Sequence, residues 1–208
     1  MTVPEALIAF SLAAGLLTIT PGLDTALVLR TAAAEGARGA ALAGLGVVLG
    51  CLTWGAAAAF GVGALLAASQ TAFDLLRWAG AAYLAWLGIN LILKPRDSFA
   101  TAGPSTMAAG SAAWLRRGFL GNLLNPKVGV FYVSFLPQFT AKGVEPVGFM
   151  LLLAAIHALM GVVWFAALIA ATRPIARTLR RPAVVQWLDR TTGGVFLAFA
   201  ARLALERR

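Results

Sequence analysis

The stretch LLTITPGLD at residues 16–24 lies inside an apolar run that extends from about residue 3 to residue 29. Pro21 lacks a backbone N–H donor and its ring clashes with the carbonyl group four residues earlier, while Gly22 adds backbone freedom. The stretch therefore predicts a helix break at Thr20, Pro21 and Gly22. At membrane depth such a break is tolerated only where protein buries it or where it lines a polar cavity. A helix that starts near Pro21 would direct its free N–H groups into that cavity.

The composition indicates that this run crosses a membrane. Of the 208 residues, 60% are hydrophobic and only 12% are charged, whereas soluble proteins have about 25% charged residues. So few charges cannot form a polar shell, which argues against a soluble enzyme, and the high apolar content argues against a disordered chain. A helix needs about 20 apolar residues to cross the hydrocarbon. Six segments qualify and predict an all-α integral membrane protein with six transmembrane helices: about 3–29, 39–68, 73–93, 118–139, 147–172 and 184–205.

The distribution of Lys and Arg predicts the orientation. Ten of them lie in the connections after the first, third and fifth segments, and four lie on the opposite side. The positive-inside rule places the ten in the cytoplasm, so both termini are expected outside. The formal charge of +9 then reflects cytoplasmic loops and contact with anionic lipid, and nucleic-acid binding is not expected. The ten residues are Arg30, Arg38, Lys94, Arg96, Arg116, Arg117, Arg173, Arg177, Arg180 and Arg181.

An internal repeat divides the single domain, residues 1–208, into two halves. The pattern RWAGAAYLAW at 77–86 aligns without gaps with RTTGGVFLAF at 190–199. The same division aligns Thr20-Pro21 with Asn125-Pro126. The halves are about 1–93 and about 118–208, joined by a loop at 94–117, and each has three predicted crossings. Three is an odd number, so the second half is inverted, as is common in secondary transporters; chance similarity in an apolar background is the alternative.

The second predicted break lies at Leu124-Asn125-Pro126-Lys127. Pro126 interrupts an apolar run, Asn125 offers donors and acceptors, and Lys127 offers a cation. Asp24 lies one turn beyond the first break, where a charge at membrane depth costs about 2.5–3.5 kcal/mol on insertion scales. An acid kept at that depth usually faces an interior pathway, although a buried structural acid is the alternative. For Lys127 the alternative is a lysine that extends from a helix end to the interface.

Asp24 and Lys127 together are complementary to a small zwitterion. The ammonium group of such a substrate could meet Asp24, and its carboxylate could meet Lys127 or a helix N-terminus. The alternative is that the two side chains pair with each other, which an exporter could use as a gate.

The remaining candidates give weaker signals. His157 lies in the fifth segment and could relay protons or be a core residue bonded to a backbone carbonyl. Cys51 is the one cysteine and is expected to pack in the protein interior. No metal site, cofactor or catalytic set is expected, because one His and one Cys form no ligand cluster and no nucleotide or hydrolase motif occurs. The Gly46-x-x-x-Gly50 pair favours packing within the chain over a dimer interface, although a homo-oligomer is compatible with the sequence.

Four stretches carry a further signal: TPGLD at 20–24, the Gly-rich second segment, RWAGAAYLAWLG at 77–88, and GNLLNPKVGVFYVSFLPQF at 121–139. They resemble the LysE/RhtB family of bacterial amino-acid exporters. The resemblance covers nearly the whole chain and departs at Leu23, where the family often has a second proline. It implies export of amino acids or close derivatives across the bacterial inner membrane, driven by the proton gradient, and it does not name the substrate.

The sequence therefore predicts a secondary exporter of small amino acids or related metabolites, working by proton antiport. Asp24, Pro21, Gly22, Asn125 and Lys127 are the predicted substrate-binding residues, with Thr20 and Pro126 shaping the breaks. Asp24 and His157 are the candidates for proton coupling. One alternative is an ion or metal-cation carrier or channel on a similar six-helix scaffold, which would need several deep carboxylates or carbonyl-rich loops. A membrane enzyme is a weaker alternative, since it would need a clustered nucleophile and base.

Overall fold

The computed structural model describes residues 1–20, 22–68, 70–95, 111–171 and 181–205. Within these ranges the chain is helical, without a β-strand. Pro21 and the central part of the predicted 94–117 loop lie outside the described residues. The helices are α1 (Val3–Ile19), α2 (Leu23–Ala68), α3 (Gln70–Leu93), α4 (Ser111–Leu123), α5 (Pro126–Val130), a π-helix (Phe131–Phe135), a 3-10 helix (Leu136–Phe139), α6 (Pro146–Ala170) and α7 (Pro182–Leu205).

Helix α1 ends at the position of the first predicted break. Helix α1 begins with a capping box, in which the Thr2 N–H donates to Glu5 Oε2 at 2.8 Å. It ends at Ile19, and Thr20 has extended backbone angles (φ −68°, ψ 120°). The helix resumes at Leu23, and the two helical pieces meet at a bend of 49°. The apolar run from residue 3 to residue 29 is therefore interrupted by a short non-helical segment.

Helix α2 differs from the predicted boundaries. A polar connection was expected between residues 29 and 39, but α2 runs from Leu23 to Ala68 and changes direction at Gly36 (φ 78°, ψ −177°). These angles are accessible essentially to glycine alone, so a single residue replaces a loop. The helix that carries Asp24 therefore leads directly into the helix that carries Cys51.

A helix also ends at the second predicted break, and the crossing predicted at 118–139 consists of several short helical pieces. Helix α4 begins at Ser111 and ends at Leu123, so Arg116 and Arg117 lie on a helix rather than in the loop. The short helix α5 then begins at Pro126. It passes into the π-helix, and Pro137 lies in the 3-10 helix that follows. Proline removes a ladder donor at both positions, which accounts for the repeated interruptions.

Close helix packing explains the glycines of the second segment. Helix α2 packs against α4 and α6, and α3 packs along α7. A Cβ atom at Gly46 would overlap the Leu115 carbonyl, and one at Gly50 would lie 2.5 Å from Asn122 Oδ1. The Gly46–Gly50 pair thus serves packing within the chain. Between α3 and α7, a Cβ at Gly88 would lie 2.7 Å from the Gly193 carbonyl oxygen.

Two helical stretches are long and apolar enough to cross a membrane singly, Glu35–Gly61 and Pro146–Ala170. The bent pair Val3–Ile19 and Leu23–Ala33 brings the number to three if it forms one span. These apolar stretches support a multi-pass membrane protein, and the described residues contain helices and no β-strand. The count of six crossings and the inverted repeat stay predictions.

Candidate functional site

The two helix breaks face each other across one cavity. A Cβ atom built on Gly22, at the first break, would lie 3.9 Å from the Nζ of Lys127, at the second. The cavity has a volume of about 60 Å³. We call it the polar cavity; the side chains that line it include Thr20, Asp24, Thr25, Cys51, Asn125, Lys127 and His157. The structure thus brings together six of the predicted site residues, which are Thr20, Gly22, Asp24, Asn125, Lys127 and His157.

Asp24 is held by a side chain from the other half of the protein. Asn122 Nδ2 donates a hydrogen bond to Asp24 Oδ2 at 2.9 Å. Asn122 is completely buried, whereas Asp24 keeps some exposure to the polar cavity. Lys127 lines the same cavity as Asp24. The polar cavity therefore contains a carboxylate and an ammonium group supplied by two different broken helices.

Asn122 is a site residue that the sequence interpretation missed. It lies three residues before Asn125 on α4, and its Nδ2 also contacts Cys51 Sγ at 3.5 Å. Its Oδ1 accepts no hydrogen bond from the described residues. Gly50 makes room for this amide, since a Cβ there would crowd Oδ1. The available signal was a second polar amide, one turn before the break, in the apolar run that begins at Gly118.

Asn125 organises the second break. Its Oδ1 accepts a hydrogen bond from the Lys127 N–H at 3.1 Å, which makes it the N-cap of α5. Its backbone carbonyl accepts from the N–H groups of Val128 and Gly129 at 3.1 and 3.0 Å. Pro126 occupies the first helical turn, where a missing donor costs nothing. Together these contacts fix the position from which the Lys127 side chain extends.

The first break is anchored to α7. The Thr20 hydroxyl donates to the Leu16 carbonyl at 2.6 Å and lies 2.5 Å from the Thr192 hydroxyl. Both threonines are buried. Trp164 Nε1 on α6 contacts the Thr25 hydroxyl at 3.4 Å, one residue beyond Asp24. The residues around the break are thus held from two sides.

His157 is partnered by a tyrosine hydroxyl. Tyr132 Oη lies 2.8 Å from His157 Nδ1, and both side chains are buried. The Phe131 ring lies beside the imidazole, with ring centroids 5.3 Å apart. The sequence interpretation did not include Tyr132, which the π-helix turns towards α6. His157 lines the polar cavity, and its part in proton coupling stays a prediction.

Among the described residues, no group of three or more His, Cys, Asp or Glu side chains is arranged to hold a metal ion. Asp24 and Lys127 are the oppositely charged residues of the polar cavity. Part of its wall is apolar and includes Val47, Val48 and Phe165.

Comparison with known proteins identifies the family. The sequence from residue 16 to residue 207 matches the family model described as LysE type translocator. The chain belongs to the LysE family. The match includes both helix breaks and all the residues of the polar cavity named above, and it confirms the resemblance noted in the sequence.

Curated relatives of this LysE-type chain extend over nearly its full length. An uncharacterized membrane protein of Vibrio cholerae is 31% identical over 95% of both chains. A leucine efflux protein of Enterobacter sp. (strain 638) is 33% identical over 90% of both. A homoserine/homoserine lactone efflux protein of Salmonella typhi is 29% identical over 96% of both. The two relatives whose names state an activity are efflux proteins rather than enzymes. No solved structure matches the chain.

Proposed function

We propose that this LysE-family protein exports small amino acids or closely related metabolites across the bacterial inner membrane. The observation that carries the proposal is the placement of Asp24 and Lys127, from two broken helices, in one small cavity. A zwitterion has an ammonium group that complements Asp24 and a carboxylate that complements Lys127. The names of the leucine and homoserine efflux relatives support the same class of substrate.

Proton antiport follows from competition at Asp24. The carboxylate can hold a proton or the substrate ammonium group, and not both at once. Release of substrate on protonation, followed by deprotonation on the other side, would couple the two fluxes. Lys127 would hold the substrate carboxylate, and His157 with Tyr132 is the second candidate for proton transfer.

The proposed architecture is six crossings in two inverted halves, with both termini outside. The pairing of α3 with α7 at Gly88 and Gly193 is compatible with related halves, because these helices carry the repeated pattern. Rocking of the halves would expose the polar cavity to each side in turn. Single cysteines at Ser105 and Lys142 in a Cys51→Ser background test the orientation. Labelling of Lys142→Cys alone by an impermeant reagent outside is expected, and equal labelling of both would refute it.

The alternative of an ion or metal-cation carrier has less support. Cation selectivity by carboxylates needs several acids around a pore, whereas the polar cavity combines one acid with a lysine. Cation flux in proteoliposomes without amino-acid flux would favour this alternative.

Export from cells that hydrolyse supplied dipeptides tests the proposal. Wild-type protein is expected to speed release of one or a few amino acids, and Asp24→Asn to abolish the gain. Asp189→Asn is the matched control, because Asp189 is a buried acid on α7 outside the lining of the polar cavity. Equal amounts of each variant in the membrane must be verified. Wild-type export retained in Asp24→Asn would contradict the role of Asp24.

A further inference from the structure

A second, larger space shares one lining residue, Asn125, with the polar cavity. It has a volume of about 550 Å³ and lies between α2, α3 and the α5–π-helix segment. We call it the apolar groove; its lining includes Trp54, Tyr83, Gly129, Val130, Val133 and Ser134. Lys127 and Val128 line the polar cavity, whereas the next residues along the chain line the groove. Asn125 lines both spaces.

The chemistry of the groove differs from that of the polar cavity. None of its described lining residues is charged, and its polar groups are confined to Asn125, Tyr83 and Ser134 in addition to the indole of Trp54. Gly129 allows the Trp54 ring to lie against the backbone, since a Cβ there would be 2.8 Å from Cζ2. A charged side chain placed in such a space would lose its hydration without gaining a partner. The groove is therefore suited to an uncharged, apolar group.

The two volumes suggest how a substrate divides between them. A cavity of about 60 Å³ has room for about four to six water-sized groups, enough for the non-hydrogen atoms of an ammonium and a carboxylate on one carbon atom. It has no room for a branched alkyl chain as well. The groove, which shares Asn125 with the polar cavity, has room for such a chain.

We infer that the protein exports neutral amino acids with apolar side chains, and that the substrate places its charged head in the polar cavity and its side chain in the apolar groove. This inference rests on the proposed function and narrows its substrate class. Basic amino acids are excluded as good substrates, because their charged ends would be buried without a partner. Leu124 lines the groove and is 78% exposed, so the groove reaches the protein surface. A lipid chain is therefore the competing occupant of the groove.

Val133 provides the test, because it lines the groove and not the polar cavity. Purified protein in proteoliposomes is assayed with alanine, leucine, phenylalanine and lysine. Wild-type protein is expected to transport leucine faster than alanine, with lysine slowest. Val133→Phe reduces the space in the groove and is expected to lower the leucine-to-alanine rate ratio about tenfold, the usual effect of removing space for an alkyl group. Val163→Phe, an identical change at a 63% exposed site on α6, is expected to leave the ratio unchanged.

Val133→Ala is the control for a loss of transport caused by misfolding. It enlarges the groove and is expected to raise transport of phenylalanine relative to leucine, a gain that a folding defect cannot produce. Unchanged rate ratios in both Val133 variants would overturn the inference and assign the groove to lipid, while leaving the proposed function intact. Transport of lysine as fast as leucine by the wild type would also overturn it. Absence of transport of all four amino acids by the wild type would contradict the proposed function and this inference with it.

Discussion

Asn122 Nδ2 and Asp24 Oδ2 are joined by a hydrogen bond of 2.9 Å between residues 98 positions apart in the chain. The bond connects α4, just before the second helix break, to the start of α2, just after the first. It therefore ties the only acid that lines the polar cavity, among the described residues, to the opposite half of the protein. Any movement of one half against the other has to keep, stretch or replace this contact.

Replacing Asn122 by Leu keeps the approximate side-chain volume and removes the donor. A hydrogen bond to a charged group contributes about 1.5–3 kcal/mol, so we expect export to fall roughly 10- to 100-fold. Transport rates in proteoliposomes check this expectation. Asn90→Leu is the control, because Asn90 is half-buried on α3 and donates to the Trp86 carbonyl away from the site. Wild-type rates in Asn122→Leu would show that the bond does not serve transport.

The roles of Asp24 and Lys127 can be separated by a double-mutant cycle. If both side chains bind substrate, Asp24→Asn and Lys127→Met each abolish export and the double variant stays inactive. If they only pair with each other, removing both charges restores a substantial part of the rate, because no unpaired charge is left buried. Rates from the four proteins, normalised to protein amount, decide between these roles. We expect no recovery.

Cys51 offers a probe that needs no added cysteine. It is the chain's one cysteine, it lines the polar cavity, and its Sγ contacts Asn122. A transported amino acid is expected to slow alkylation of Cys51 by N-ethylmaleimide several-fold, because it occupies the approach to the sulfur. A cysteine placed at the exposed Thr53 in a Cys51→Ser background serves as control on the same helix. Equal protection at both positions would indicate a general conformational effect rather than occupancy of the cavity.

Two glycines on α4 provide a matched test of the helix packing. A Cβ at Gly118 would overlap the Ala43 carbonyl, whereas nothing lies within 4 Å of one at Gly121. We expect Gly118→Ala to lower the free energy of unfolding by about 1–3 kcal/mol through overpacking. Gly121→Ala is expected to be neutral or stabilising by up to about 1 kcal/mol, since alanine favours helix. Melting temperatures in one detergent give the comparison, and equal values would show that the α2–α4 contact is looser than described.

The sequence was sufficient for features that depend on local chemistry. Proline and glycine in apolar runs predicted both breaks, and the rarity of acids at depth drew attention to Asp24. Asn122 and Tyr132 were missed because their importance comes from partners far along the chain, which a single sequence does not reveal. Arg30 and Arg38 flank Gly36, so the sequence predicts a polar loop there. A glycine that bends a helix has the same local composition as a short connection, and the sequence alone does not distinguish the two.

Gly36 has a consequence for how the protein tolerates mutation. Its backbone angles, φ 78° and ψ −177°, are available essentially to glycine alone, although a Cβ there would meet nothing within 4 Å. Judged only by the space around its Cα atom, position 36 would be expected to accept larger side chains. Random mutagenesis should instead find it intolerant, and its variants should be lost by degradation in the cell before substrate preference can be measured. Position 36 is thus expected to limit the amount of protein in the membrane, whereas Val133 is expected to affect what the protein carries.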